Sequence, residues 1–211
     1  MIVAIDGPAG SGKSTIAKLI ADKYNFFNLN SGEFYRAFAY AHIDKGRSLT
    51  DKNDIEKSLS DIMLSLKGDD LYINGKKADK GELHTKKVDN ASSILSVEIP
   101  VRLRVNELLR ESVKGRNIVC EGRDITSVVF PNAELKIYLD ADLEERAKRR
   151  ATERGEDTAE VGKDLKVRDD RDINKTFGAL KKVEDAIVID TTLLTIDEVF
   201  NRISTMVEMY L

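Results

Sequence analysis

Short apolar runs alternate with helical patterns along this chain. The first run covers residues 2–5, and four more lie at 26–29, 118–120, 135–139 and 186–189. The runs are continuous, as is typical of strands in a parallel sheet that is covered on both faces. The pattern therefore predicts an α/β fold, with a parallel sheet of about five strands, helices on both faces and a ligand site at the carboxyl ends of the strands.

Amphipathic stripes predict the helices between these strands. After the first run, Ile16, Leu19, Ile20 and Tyr24 recur at helical spacing. Near the end of the chain, a capping-box pattern at Thr195 and Glu198 precedes a stripe of Ile196, Val199, Phe200, Ile203, Met206, Val207 and Tyr210. Each stripe is expected to pack against the sheet.

Two stretches depart from this alternation. Residues 66–88 are mostly polar, and the tight-turn pair Asn74-Gly75 within them predicts a small antiparallel insert. Residues 151–176 carry few large apolar side chains but many Arg, Asp and Glu, which is typical of a mobile cover over a site. We expect one domain, with core segments 1–65, 94–149 and 177–211, an insert of 66–93 and a helical lid of 150–176.

A phosphate-binding motif joins the first strand to the first helix. Residues 7–14 read Gly-Pro-Ala-Gly-Ser-Gly-Lys-Ser, which matches G-x-x-x-x-G-K-S in the required context and argues against an ordinary Gly/Ser-rich turn. Backbone N–H groups and the helix N-terminus bind phosphate in such loops, so a P-loop NTPase type of fold is predicted. Lys13 should reach the β- and γ-phosphates, and Ser14 should bind Mg²⁺. The predicted ATP-binding residues here are Gly7, Pro8, Ala9, Gly10, Ser11, Gly12, Lys13, Ser14 and Thr15.

Arginines are the second signal for phosphate chemistry, because the planar guanidinium donates two hydrogen bonds to a phosphate at once. Arg146, Arg150 and Arg154 are four residues apart, and Arg168 and Arg171 follow the predicted turn. The two groups could close over a nucleotide and stabilise a transferred phosphoryl group. For any one of these arginines alone, a solvated helix face is the alternative.

Two short segments after predicted strands could bind the phosphate acceptor. Residues 31–36 combine a hydroxyl, aromatic rings and a guanidinium, although an ordinary turn whose rings enter the core would look the same. Residues 121–124 read Glu-Gly-Arg-Asp. There the glycine would let the backbone approach a ligand, Arg123 could hold a phosphate, and Asp124 could accept hydrogen bonds from an amine. A surface ion pair is the alternative.

Taken together, these motifs resemble the bacterial cytidylate kinase family of nucleoside monophosphate kinases over nearly the whole chain. The most specific matches are residues 5–8, Ser31-Gly32 with Tyr35-Arg36, residues 122–125 and 128–131, residues 168–172, 190–192 and 194–196. The resemblance implies that residues 66–90 belong to a CMP-binding domain and that 150–175 form the lid.

The resemblance also implies roles for individual residues. It assigns the CMP phosphate region to Ser31, Arg36, Arg123 and Arg168, cytosine to Ser93, Arg102 and Asp124, and the sugar to Asp172, with Tyr35 and Lys175 also binding CMP. It implies catalytic roles for Lys13, Arg123, Arg168 and Arg171 and an ATP contact for Arg150. Lys175 replaces the usual arginine, Asn30 and Glu121 replace aspartates, and Pro100 is shifted by one residue relative to Arg102.

The implied reaction transfers the γ-phosphoryl group of Mg·ATP to CMP, and also to dCMP, in pyrimidine nucleotide metabolism. Because the acceptor is already an anionic oxygen, no general base is needed, and no base motif is evident. A kinase for UMP or AMP is the nearest rival. A GTPase-like switch is another, although residues 174–177 read Asn-Lys-Thr-Phe and lack the final aspartate of the guanine motif.

Composition weighs against several other classes. A net charge of -3 gives no electrostatic reason to expect a nucleic-acid partner. The single cysteine, Cys120, lies in an apolar run and suggests a buried thiol in a reducing compartment, and His42 and His84 are too isolated to suggest a transition-metal site. No run resembles a signal peptide or a membrane span, so we expect a cytoplasmic monomer with no membrane partner.

Overall fold

The computed structural model describes residues 1–211 and confirms the predicted α/β architecture. The strands are β1 Ile2–Asp6, β2 Phe27–Asn30, β3 Leu64–Lys67, β4 Asp70–Ile73, β5 Lys76–Lys77, β6 Ile118–Gly122, β7 Leu135–Asp140 and β8 Ile187–Asp190. The helices are α1 Lys13–Tyr24, α2 Ser31–Asp44, α3 Lys52–Asp61, α4 Lys80–Leu83, α5 Lys86–Leu95, α6 Ile99–Ser112, α7 Leu143–Arg154, α8 Thr158–Asn174 and α9 Ile196–Glu208.

The larger sheet has five strands in the order β2-β6-β1-β7-β8. β1 pairs in parallel with β6 and β7, and β7 pairs in parallel with β8. The central strands are continuous in apolar character because both of their faces are covered: Val3, Ala4 and Ile5 are completely buried. The register places Asp6 beside Gly122, so the loop after β1 and the segment after β6 begin side by side.

The chain forms two compact units. The first comprises residues 1–29 and 115–211, and its core packs α1 and α9 with the sheet through side chains such as Ile16, Ile20, Ile137 and Ile203. The capping box predicted at the start of α9 is present: Thr195 accepts from the Glu198 backbone N–H, and the Glu198 carboxylate accepts from the Thr195 N–H.

The second unit comprises residues 30–114 and contains α2 to α6 and a small antiparallel sheet of β3, β4 and β5. The hairpin predicted from Asn74-Gly75 is confirmed, since both residues have positive φ angles, 49° and 82°, as a tight primed turn requires. The insert predicted as residues 66–93 lies within this unit. His42 is buried there, and its ring contacts the Ser58 hydroxyl at 2.7 Å.

Two further features bear on the sequence analysis. Cys120 is buried in β6, and burial raises the pKa of its thiol well above the ordinary value.

None of the helices combines the length and the hydropathy that a membrane span requires.

A short π-helical turn, Ile125–Val129, follows β6 and was not predicted from the sequence. Its start is held by the carboxylate of Asp6, which accepts from the N–H groups of Ile125 at 2.9 Å and Thr126 at 2.8 Å and from the Thr126 hydroxyl at 2.6 Å. Burial raises the pKa of Asp6 to about 6, although these donors act against the rise. Asp6 therefore fixes the end of β1 to the segment that follows β6.

Candidate active site

The phosphate-binding loop needs two of its glycines, Gly7 and Gly10, because two elements approach its backbone closely there. At Gly7, where φ is 154°, an added Cβ would collide with the carbonyl oxygen of Leu139 in β7. At Gly10, where φ is 80°, a Cβ would lie 3.1 Å from the Cβ of Arg146 in α7. The loop is thus packed against β7 and α7 before it enters α1 at Lys13.

Lys13 lies over the loop that precedes it and is only 5% exposed. Its Nζ donates to the Pro8 carbonyl at 2.6 Å and contacts the Ser11 hydroxyl at 3.4 Å. Burial, together with the positive charges of Arg123 and Arg168, lowers the pKa of Lys13 well below its usual value. A phosphate anion beside this ammonium would favour its charged form, so the site is electrostatically suited to bind one.

Ser14 contacts Glu121, which the sequence analysis placed in the candidate segment 121–124 and noted as a substitution but gave no role of its own. The Ser14 hydroxyl donates to Oε1 of Glu121 at 2.7 Å, and Glu121 is 5% exposed at the carboxyl-terminal part of β6. Glu121 is opposite Ile5 in the register of β1 and β6, which explains how residues so distant in sequence meet. The sequence signal that could have identified this contact is an acidic residue at the end of an apolar run. In P-loop enzymes, a carboxylate at the end of a strand helps to bind Mg²⁺.

The donor set of this pair fits the predicted magnesium site. Mg²⁺ prefers oxygen ligands and commonly binds through one or two protein oxygens together with substrate phosphates. The hydroxyl of Ser14 and the carboxylate of Glu121 offer oxygens of this kind, and they are already in contact with each other. No group of three or more His, Cys, Asp or Glu side chains forms a metal cluster elsewhere in residues 1–211.

Three of the predicted CMP-binding residues meet in one ionic cluster. Nε of Arg123 donates to Oδ2 of Asp172 at 2.8 Å, and Nζ of Lys175 donates to Oδ1 of the same carboxylate at 3.3 Å. Burial alone would raise the pKa of Asp172, but the charges of Arg123, Lys175 and Arg168 lower it to about 2. The cluster joins the end of β6 to α8, which also carries Arg168 and Arg171.

Asp124 follows Arg123 and is buried at the start of the π-helical turn. Its backbone carbonyl accepts from the N–H groups of Val128 at 2.9 Å and Val129 at 3.1 Å. These bonds fix the backbone of Asp124, and a π-turn at such a position is common at functional sites.

The contacts of Arg146 are with the protein itself, and they differ from the nucleotide-binding role considered for it in the sequence analysis. Its Nη1 donates to the carbonyl of Ala9 at 3.0 Å and to Oδ2 of Asp169 at 2.7 Å, and its Nε donates to the carbonyl of Ala141 at 2.8 Å. Because the side chain is buried with these partners, Arg146 supports the phosphate-binding loop and joins it to α8. Arg150 and Arg154 are only partly buried on the same helix.

The remaining predicted CMP residues lie in the second unit. The guanidinium of Arg102 lies over the ring of Tyr35, 5.5 Å from its centroid, and Nη1 of Arg102 donates to the Ser96 carbonyl at 2.9 Å. Phe34 enters the core, as expected if residues 31–36 were an ordinary turn, whereas Tyr35 is only partly buried.

Arg36, Ser31 and Ser93 occupy separate positions on α2 and α5. Nε of Arg36 donates to Oδ1 of Asp89 at 2.9 Å, a contact that the sequence analysis missed. Ser31 is buried in the first turn of α2, where the side chain of Asn30 accepts from the Glu33 N–H. Asn30 thereby serves as an N-cap, and Ser93 is buried on α5.

Comparisons with known proteins bear on the fold and on the family of this chain. Among solved structures, one described as an uncharacterized protein from Eubacterium ventriosum has a TM-score of 0.54 at 16% identity and covers 99% of this chain and 98% of its own. Shikimate kinase from Bacteroides thetaiotaomicron has a TM-score of 0.50 at 11% identity and covers 99% of this chain and 98% of its own. At these identities the likeness concerns the fold alone.

Sequence relatives are much closer. A protein named cytidylate kinase from Fusobacterium nucleatum is 43% identical over 99% of this chain and 97% of its own length. One of the same name from Thermotoga maritima is 42% identical over 97% of this chain and 96% of its own length. A family model for cytidylate kinase matches residues 3–209. This chain therefore belongs to the cytidylate kinase family.

Proposed function

We propose that this protein transfers the γ-phosphoryl group of ATP to CMP, giving ADP and CDP, and that it also accepts dCMP. The observation that carries the proposal is the juxtaposition of a glycine-rich loop, a buried Lys13 and the Ser14–Glu121 pair in a chain of the cytidylate kinase family. A loop of this kind binds the phosphates of a nucleoside triphosphate, and the family supplies the acceptor.

The chemistry asks the protein for position and charge rather than for proton transfer. The attacking oxygen of CMP is already anionic, so no general base has to remove a proton from it. We assign to Lys13, Arg123, Arg168 and Arg171 the stabilisation of charge on the transferred group. When bound through Ser14 and Glu121, Mg²⁺ would supply further charge neutralisation on the phosphate oxygens.

The binding roles inferred from the family remain proposals for this chain. We assign ATP to residues 7–15 and to Arg150, and CMP to Ser31, Tyr35, Arg36, Ser93, Arg102, Arg123, Asp124, Arg168, Asp172 and Lys175. The ionic cluster supports part of this assignment, because Asp172 holds Arg123 and Lys175 in defined positions before any ligand binds. A lysine at position 175 offers a point charge in place of a bidentate fork.

A coupled assay of ADP formation tests the proposed function. With Mg·ATP held constant, CMP should give the highest kcat/KM, dCMP should be accepted, and UMP and AMP should be poorer substrates. Without any monophosphate, ADP formation should be negligible. A preference for UMP or AMP would contradict the proposed acceptor, and equal ADP formation with and without an acceptor would indicate a nucleotide-hydrolysing switch.

The segment of residues 151–176 is expected to act as a lid. It contains the end of α7 and all of α8, and Arg168 and Arg171 lie within it. We expect amide hydrogen exchange in this segment to slow markedly when a bisubstrate analogue binds, because closure would exclude water that competes as an acceptor. Exchange in α9 serves as the internal reference. Equal protection of the segment with and without the analogue would refute the lid.

A further inference from the structure

Asn106 is a buried polar side chain that the site assignments above do not use. It lies on α6 in the second unit and is 2% exposed. Both polar atoms of its amide, Oδ1 and Nδ2, are buried and have no hydrogen-bond partner in the protein. An asparagine amide can accept two hydrogen bonds and donate two, so all of its capacity is unused.

Such a side chain is costly unless something else binds it. Burying an amide without a partner typically costs more than a hydrogen bond returns, and native proteins leave few side chains in that state. Leucine has the same branched side-chain skeleton, with four heavy atoms, and carries no polar group that would need a partner. The presence of asparagine among the apolar residues Val105 and Leu109 of α6 therefore points to a partner from outside the chain.

The position of Asn106 indicates which partner this is. Asn106 follows Arg102 by four residues, so the two side chains are neighbours on one face of α6. Arg102 is 1% exposed and lies over the ring of Tyr35. Arg102 and Tyr35 are both assigned to CMP, and Arg102 is assigned to its base.

We propose that Asn106 binds the nucleobase of the monophosphate substrate, directly or through one ordered water. The inference rests on the proposed function, because it extends the assignment of Arg102 to the base. A neutral amide in a buried setting suits a base edge rather than a phosphate, since the edge of cytosine carries both a donor and acceptors.

The chemistry of the amide also defines what Asn106 does not do. Its oxygen and nitrogen can exchange places by rotation about the terminal torsion, so it can match the donor and acceptor order of cytosine or the reverse order of uracil. Asn106 should therefore contribute affinity for a pyrimidine while leaving the choice between CMP and UMP almost unchanged.

Two substitutions test the proposal. Asn106→Leu and Asn106→Ala should each raise the KM and the Kd for CMP about tenfold, as expected for losing one or two hydrogen bonds. The value of kcat at saturating CMP and the KM for ATP should stay within about twofold, and the CMP to UMP ratio of kcat/KM should change by less than about threefold. The nucleotide-free Asn106→Leu protein should melt at the same or a higher temperature than the wild type, because a buried unpaired amide is removed.

The Asn106→Ala variant controls for steric obstruction of the base by the leucine side chain of Asn106→Leu. Ser204→Ala is the matched control, because Ser204 also has a buried, unpaired hydroxyl but lies on α9 in the first unit. It should leave the affinity for CMP unchanged. If leucine prevents folding, the Kd of the alanine variant decides the matter by calorimetry.

The outcomes separate this inference from the proposed function. A wild-type protein that fails to phosphorylate CMP would overturn the proposed function. A wild type that is active on CMP, with an unchanged CMP Kd in the alanine variant, would overturn the role of Asn106 alone. A change in melting temperature with no change in Kd or KM would make Asn106 a structural residue and would likewise overturn the proposal.

Discussion

Replacing Lys13 with alanine is expected to lower kcat at least about a hundredfold, as is typical when one preorganised electrostatic stabiliser is removed. Lys13 is buried over the loop, and its Nζ donates to the Pro8 carbonyl. Burial and the nearby arginines lower its pKa, so a phosphate anion bound beside it would stabilise the charged ammonium. Its main effect should be on the transition state, in which negative charge on the phosphate oxygens has to be neutralised. Steady-state kinetics with Mg·ATP and CMP measures the loss.

Lys18→Ala is the matched control for this variant. Lys18 lies on the same helix, α1, but is exposed to solvent, so its removal should leave kcat and KM nearly unchanged. Circular dichroism and thermal melting would establish that both variants are folded. A folded Lys13→Ala protein with near-normal turnover would refute the assignment of the phosphate-binding loop.

Replacing Asp124 with asparagine is expected to remove most of the preference for CMP over UMP. Cytosine carries an amino group where uracil carries a carbonyl oxygen, so a carboxylate attracts the first and repels the second. A hydrogen bond to a charged group contributes roughly 1.5–3 kcal/mol, which corresponds to about a tenfold to more than a hundredfold preference. The asparagine amide can serve either base by rotating, and the preference should fall by that factor.

The measurement is the CMP to UMP ratio of kcat/KM in the wild type and in Asp124→Asn. Asp170→Asn is the control, because the same chemical change then occurs at an exposed aspartate of α8. The buried backbone of Asp124 also holds the π-helical turn, so thermal melting is needed to confirm that the variant is folded. A ratio unchanged in a folded variant would mean that Asp124 does not read the base and would leave Ser93 and Arg102 as the candidates.

The contacts of Arg146 and Glu121 explain how the phosphate-binding loop is held. Arg146 anchors the loop from α7 through the Ala9 carbonyl, and Glu121 contacts its far end through Ser14. Arg146 and Glu121 both lie outside the eight-residue motif, and within it Gly7 and Gly10 permit the close approach of β7 and α7. The geometry of the loop is thus imposed from outside by neighbouring elements, as precise ligand sites generally require.

What the sequence alone determined were the features encoded over short distances along the chain. The phosphate-binding loop, the capping box at Thr195 and the tight turn at Asn74-Gly75 each depend on a few consecutive residues, and all three are present. The strands were recognisable because a doubly covered parallel strand is apolar throughout, and all five lie where the runs indicated, with ends that shift by a residue or two.

Only the tertiary structure decided which distant residues meet. Ser14 is 107 positions from Glu121, Arg123 is 49 from Asp172, and Arg146 is 137 from Ala9, and none of these separations carries a periodic signal. The Ser14–Glu121 and Arg146–Ala9 pairs follow from the strand order β2-β6-β1-β7-β8, which places the ends of β1, β6 and β7 side by side. Asp172 reaches Arg123 from α8, which the packing of that helix decides. Residue spacing along the chain reports local backbone geometry, whereas the pairing of strands and the packing of helices depend on the burial of apolar surface by the whole unit. The sequence did not single out Asn106 for the same reason. Only its burial without a hydrogen-bond partner, which depends on tertiary packing, distinguishes it from other polar residues on helices.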